Sequence, residues 1–328
     1  MLPALFLLLA FADTYRAGLM DLQRGDLTSA QANLEAASRQ SPRDGRVWVA
    51  LSQTYWRLHK ESEADEAASK AATLAPEDVA VLQGLSIYYS ETKQTLKAAR
   101  ATAKWAAKVP EKEDIRQRAI DFYFEAAKSL LDQQKFSEAV AILKEAASAE
   151  PGSAQLELAL GVASYGLRRF DDAADAFLRT IKIAPETEQP YLFLGKILDQ
   201  IPTRLPEVTE KFAAYELAHP TNSTGYLLHA KALNARGLAP EESLRLLEKS
   251  IAIDGRDASA FFEKGSALDR LQRYVDAAAA FERAAELAPS DAAAHYRLSR
   301  DYDRIGKHDA AQAEREKHAL LVKAQDIR

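Results

Sequence analysis

"FDDAADAFLRTIKIAPE", residues 170–186, returns in altered spelling as "FSEAVAILKEAASAEPG" at 136–152 and "YVDAAAAFERAAELAPS" at 274–290. Each copy opens on an aromatic residue, runs through Ala and a large apolar residue, and closes at a Pro. The steps between them are four and then three, as in Ala30, Leu34 and Ala37, Ala139, Leu143 and Ala146, or Ala277, Phe281 and Ala284. That spacing marks one face of a helix. No isolated helix requires its neighbours to share the pattern, so the chain is built from copies of one unit.

The prolines set the period. Pro42, Pro76 and Pro110 stand 34 apart, as do Pro151 and Pro185; Pro220 follows at 35 and Pro289 at 69 more, with Gly255 filling the gap. The chain then divides into nine units, 11–44, 45–78, 79–112, 120–153, 154–187, 188–222, 223–257, 258–291 and 292–325. In each, a first helix pairs an aromatic or apolar residue with a small one a turn later: Trp48 with Ser52, Tyr191 with Gly195, Tyr226 with Ala230, Phe261 with Gly265. The second helix carries the pattern of the opening quotation. Glycines such as Gly18, Gly161, Gly195 and Gly265 let helices approach closely, which offsets a mid-helix cost of about 1 kcal/mol. Phe177, Phe212 and Phe281 fill the wedge between paired helices, and the closing Pro ends the second helix.

With these residues the chain resembles the tetratricopeptide-repeat family, whose 34-residue unit is a helix-turn-helix. The resemblance implies an all-α, right-handed superhelical solenoid of antiparallel helix pairs, with first helices lining a concave groove. Departures are local: Ala68 and Thr102 replace the wedge residue in units two and three, and unit nine has Arg315 and His318 where apolar and small residues belong. "HDAAQAEREKHALLVKAQ" (308–325) reads as a polar C-terminal cap. Residues 113–119 are inserted between units three and four; "EKEDIRQRAIDFYFEAAKSLL" reads as unbroken helix, so the first helix of unit four is expected to start two turns early and project from the edge. Pro206 and Pro240 are expected near the first turn of the helices they precede.

Composition narrows the function. A formal net charge of -5 leaves no basic excess to track a phosphate backbone, which argues against nucleic-acid binding. With no Cys, thiolate metal sites, disulfides and a Cys nucleophile are excluded. "MLPALFLLLAFA", residues 1–12, is too short to span a bilayer but suits the core of a signal peptide, with Ala10-Phe11-Ala12 as a cleavage pattern. It lacks a preceding Lys or Arg. The expectation is export, periplasmic or secreted, with a cytoplasmic protein as the alternative, and no stable membrane span.

No catalytic constellation emerges. The six His show no i, i+4 pair, and no HExxH, P-loop, GxGxxG after a strand or GxSxG is present. The carboxylate pairs Asp171-Asp172 and Glu241-Glu242 fall at starts of second helices, where capping and the helix dipole favour them. The expected protein is not an enzyme and has no cofactor or metal. What remains is a surface. The resemblance places Tyr15, Gln53, Trp56, Phe124, Lys128, Tyr165, Lys196, Lys231, Phe262, Tyr296 and Arg300 on the inward face, as candidates for binding a protein or peptide. Their aromatic members would be anchors if exposed and inter-repeat packing if not. The Lys and Asn set by which one subclass holds chaperone tails is not reproduced at the matching places Tyr15, Leu19, Val49, Gln53, Gln83 and Ile87. Inward places are mostly apolar and aromatic through unit five and mixed in charge from unit six, with Lys196, Asp199, Lys231, Asp269, Arg270, Arg300, Asp303 and Arg304. The function expected is a non-enzymatic interaction scaffold holding a segment in its groove. A self-assembling module and an accessory repeat domain of a larger enzyme or secretion complex are the alternatives.

Overall fold

The computed structural model describes residues 2–325, with side chains from 11 to 324. Among these, eighteen α-helices and one short 3-10 turn follow in tandem, without a strand, so the fold is all-α. Two compact units divide at Ala163 and Ser164. The first holds the pairs α1 (Leu2–Arg24) with α2 (Leu27–Gln40), α3 (Gly45–Arg57) with α4 (Glu61–Leu74), α5 (Val79–Glu91) with α6 (Thr95–Lys108), and α7 (Glu113–Asp132) with α8 (Phe136–Ala149). α9 (Ala154–Gly166) contains the division. The second holds α10 (Phe170–Ile183), α11 (Gln189–Lys196) with α12 (Leu205–Ala218), α13 (Ser223–Arg236) with α14 (Pro240–Ile253), α15 (Ala258–Arg270) with α16 (Tyr274–Leu287), and α17 (Ala292–Arg304) with α18 (His308–Gln325). The expected leader falls on the start of α1, and the side chains of residues 1–10 lie outside the described ones.

Five first helices open on an Asx side chain that accepts a backbone N–H, Asp44 from Arg46, Asp78 from Val81, Asn222 from Thr224, Asp257 from Ser259 and Asp291 from Ala293, whereas α7 and α11 have no side-chain cap. Each of these caps satisfies a donor that the helix itself leaves free. Most second helices have none. α4, α6, α8, α10, α12, α14 and α16 lack a side-chain cap, and Asp171-Asp172 and Glu241-Glu242 sit within the first turn. Their charge meets the helix dipole, but the capping expected of them is absent. The second helices α4, α6, α8, α10 and α16 are instead entered from a tight turn. His59, Lys93, Gln134, Arg168 and Gln272 take left-handed φ there, as Gly25, Gly237 and Gly306 do in other repeats. The turn returns backbone bonds across it, such as Lys60 N–H to the Tyr55 carbonyl at 2.9 Å and Arg273 N–H to that of Leu268 at 3.0 Å.

Packing follows the small-against-large pattern. A Cβ added to Gly265 would lie 2.7 Å from the Phe281 ring, so that glycine admits its wedge residue within one repeat. Gly195 serves a neighbouring repeat instead, since its added Cβ would meet Leu228 of α13. Phe177, Phe212 and Phe281 are fully buried, and cutting such a ring to Ala costs about 3–5 kcal/mol. Where unit three has Thr102 for the wedge, Ser86 occupies the facing small place, and the two buried hydroxyls hydrogen-bond at 2.6 Å. Residues 113–119 form the first two turns of α7, but they do not stand free: Ile115 is buried in a cluster with Leu82, Trp105 and Ala106. α11 is the shortest helix because Pro202 cannot continue it; Leu198–Gln200 tighten into a 3-10 turn ahead of the proline. Pro206 and Pro240 lie in the first turns of α12 and α14, as expected.

Candidate functional site: the first-helix face

In the first unit the aromatic candidates are partly engaged in packing. Tyr15 stacks on Phe11 with centroids 5.9 Å apart and joins the cluster around Leu34, Val47 and Leu51. Trp56 packs beside Val49, Leu85 and Tyr88. Gln53 donates from Nε2 to the Gly84 carbonyl at 3.3 Å, tying α3 to α5. Phe124 is half-buried, and Lys128 is exposed.

In the second unit, Tyr165 meets Phe170 and Phe193 edge-on at 6.1 and 5.7 Å, and Phe193 stacks on the buried Phe177 at 5.0 Å. Much of its ring is therefore committed to holding α9, α10 and α11 together. Phe262 is half-buried against Phe281, whereas Tyr296 remains 46% exposed and carries the Arg300 guanidinium 5.9 Å from its ring centre. Lys196 is exposed, with Nζ 5.3 Å from the centre of Phe193. Lys231 is half-buried on α13.

Lys196, Lys231 and Phe262 line a cavity of about 270 Å³ among α11, α13, α15 and α17. Its inner side is a polar network. Asn234 donates from Nδ2 to Glu263 Oε2 at 2.8 Å and to the Glu263 carbonyl at 3.1 Å, while its Oδ1 accepts from Ser243 at 2.8 Å. The Arg270 guanidinium donates to the Asn234 carbonyl at 2.6 Å. Glu263 is only 8% exposed; burial pushes its carboxyl above the ordinary range, against the Asn234 hydrogen bond and the charges of Lys231 and Arg297. Asp269 pairs with Arg304, and Arg297 stands 3.9 Å from it.

Lys196, Lys231 and Phe262 are thus brought together, Tyr296 and Arg300 lie on the adjoining α17, and Tyr165 belongs to a separate aromatic cluster. Asn234, Glu263 and Arg297 escaped the sequence reading. Asn234 had a usable signal, since it stands 35 residues from both Asp199 and Asp269 in the same register. Glu263 and Arg297 had none, because helical phase puts them beside the inward row. No group of His, Asp and Glu suited to a metal ion occurs among the described residues, and no described helix is long and apolar enough to cross a membrane.

Tandem helix pairs packed small against large define an α-helical repeat protein of the kind that presents surfaces to other proteins. The tetratricopeptide-repeat model matches residues 15–79, 124–187, 227–292 and 262–316, more than half of the chain, and the chain belongs to that family. No curated protein sequence matches it. Among solved structures it is similar to yeast Tom70, at 14% identity and TM-score 0.45 over 97% of this chain and 94% of that one. A thermophilic tetratricopeptide-repeat protein of Thermus thermophilus matches at 22% and 0.45, over 52% of this chain and 91% of that one. MamA of Desulfovibrio magneticus matches at 20% and 0.39, over 63% and 96%.

Proposed function

We propose that the chain is a non-enzymatic scaffold that holds an extended or helical segment of a partner protein along its first helices. The observation that carries this reading is the row of first-helix residues on α11 to α17, where Lys196, Lys231 and Phe262 line a polar cavity and the exposed Tyr296 and Arg300 stand on α17. An exposed aromatic ring beside unpaired cations offers apolar area and directional charge together, as interface anchors do. A photo-crosslinking side chain placed at Tyr296 or Phe262 should form adducts with a partner, whereas one at the outward Val275, 68% exposed, should not. Equal labelling at all three places, or none, would overturn the reading.

Self-assembly is the second reading. Leu217, 78% exposed on α12, together with Val275 on α16, leaves apolar area on second helices that a further copy could cover. Light scattering at high concentration separates the two, because a persistent monomer removes the second. Export of the chain behind a cleaved leader at 1–12 also stays a proposal, resting on composition.

A further inference from the structure

Three first helices, α3, α15 and α17, carry at their last position an arginine that stands thirteen residues past the N-cap. Each reaches back to the first helix before it. Arg57 donates to the Leu22 carbonyl at 3.4 Å, Arg270 to the Asn234 carbonyl at 2.6 Å, and Arg304 to the Asp269 carboxylate. These side chains clamp α3 to α1, α15 to α13 and α17 to α15. Counted from its N-cap Asn222, α13 has Ala235 at that place. Asp199 precedes Ala235 by 36 residues, as Asn234 precedes Arg270, yet it makes no hydrogen bond or ion pair among the described residues. Ala235 and Asp199 both line the cavity of about 270 Å³, so the cavity lies open where a clamp side chain would run. Arg236 comes one residue later, about 100° further round the helix, and does not line it.

We infer that the junction of α11 with α13 is a hinge built into the first-helix face, loosened because Ala235 stands where the two junctions that follow have an arginine. The same junction lacks a second support. α11 has eight residues where α13 has fourteen, because the chain tightens into the turn Leu198–Gln200 ahead of Pro202. A 3-10 stretch of this kind within a helical run is a common hinge point. What holds α11 to α13 is the close packing of Leu228 on Gly195 and, at the opening ends of the helices, a hydrogen bond from Asn222 Nδ2 to Glu188 at 3.3 Å. By contrast, α13, α15 and α17 form a tied block, through Asn234 with Glu263, Arg270 with Asn234 and Arg304 with Asp269. α11 therefore swings about its Glu188 end, and the swing changes how far Lys196 and Asp199 stand from Lys231 and Phe262 across the cavity. A ligand that fits one of these arrangements better shifts the balance toward it. The hinge does not rest on the groove reading above, and its failure would leave that reading untouched.

The chain has no Cys, so engineered pairs can carry spin labels at chosen places without a background. Labels at Leu217→Cys on α12 and Ile253→Cys on α14, both exposed, span the hinge. Labels at Ile253→Cys and Val275→Cys on α16 span the clamped junction of α13 with α15. Electron–electron double resonance on the full chain should give a distance distribution about twofold broader for the first pair than for the second. Ala235→Arg should narrow the first distribution toward the second, since the new guanidinium meets Asp199; Lys231, one turn before it, opposes this only weakly at helix-surface spacing. Arg270→Met, which keeps an aliphatic stem, should broaden the second. Thermal melts check that both variants fold, and if Ala235→Arg does not, the response to Arg270→Met decides. Equal widths for the two pairs before either substitution would overturn the inference. So would a broader first pair that ignores Ala235→Arg together with a second pair that ignores Arg270→Met, because the looseness then has another cause. A broader first pair with a response to either substitution upholds it.

Discussion

Five non-glycine residues, His59, Lys93, Gln134, Arg168 and Gln272, hold φ between 57° and 59° in a turn where other repeats place glycine. A Cβ in that region costs about 1–2 kcal/mol, while a glycine costs roughly 0.4–1 kcal/mol through the freedom it adds to the unfolded chain. The first effect is the larger. Gln134→Gly and Gln272→Gly, at exposed positions, should therefore each raise stability by about 0.5–1 kcal/mol, read as a higher urea midpoint at constant slope. An unchanged or lower midpoint would show that the turn is not strained. The aromatic candidates carry a different lesson at this scale. Helical phase says which way a ring points, and on that basis Tyr165 and Tyr296 look alike. It cannot say what covers the ring: Phe193, brought up by the next helix, meets Tyr165, while Tyr296 keeps nearly half its surface.

Each helix is secured differently, and α18 depends on a buried polar pair. His295 on α17 donates from Nδ1 to Glu314 on α18, whose other carboxylate oxygen accepts from Lys317 at 2.7 Å. Burial alone would raise the Glu314 carboxyl, but the hydrogen bonds and charges of Lys317 and His295 outweigh it and hold it below the usual carboxylate range. A carboxyl lowered in the folded state contributes stability above its unfolded pKa and loses it as pH falls through the folded value. The melting temperature of the native chain should thus drop more steeply than that of Glu314→Gln between about pH 5 and pH 3. Parallel profiles would remove the pair from the account of how α18 is attached. Much at this scale was legible in advance. The stops at Pro and the first-turn prolines of α12 and α14 follow from what proline cannot do. Caps were read on the wrong helices, because carboxylates attract attention in pairs, whereas a single Asp44 or Asp291 in a loop does the bonding.

Across the molecule, each repeat makes its contacts mainly with adjacent ones, so stability is close to a sum over repeats and their junctions. A period of 34 written into the prolines was enough to state the tandem pairs and the small-against-large packing. The cavity was not readable in that way, since it depends on four first helices converging and on Glu263 lying out of phase with the inward row. One feature of its wall adds a dimension that a fixed set of distances leaves out. Around Leu198–Gln200 the amides bond over short 3-10 spans, Gln200 to the Ile197 carbonyl at 2.9 Å and Ile201 to that of Leu198 at 3.3 Å, and Pro202 contributes none. Local opening is least costly where such bonds are few and weak. Amides from Leu198 to Arg204 should exchange with deuterium faster than those of α13 or α15, a contrast that mass spectrometry can follow peptide by peptide; uniform protection would contradict it. On that outcome the cavity has one wall that opens on a shorter clock than the others, and the lifetime of any occupant would be set by how often that wall lets go.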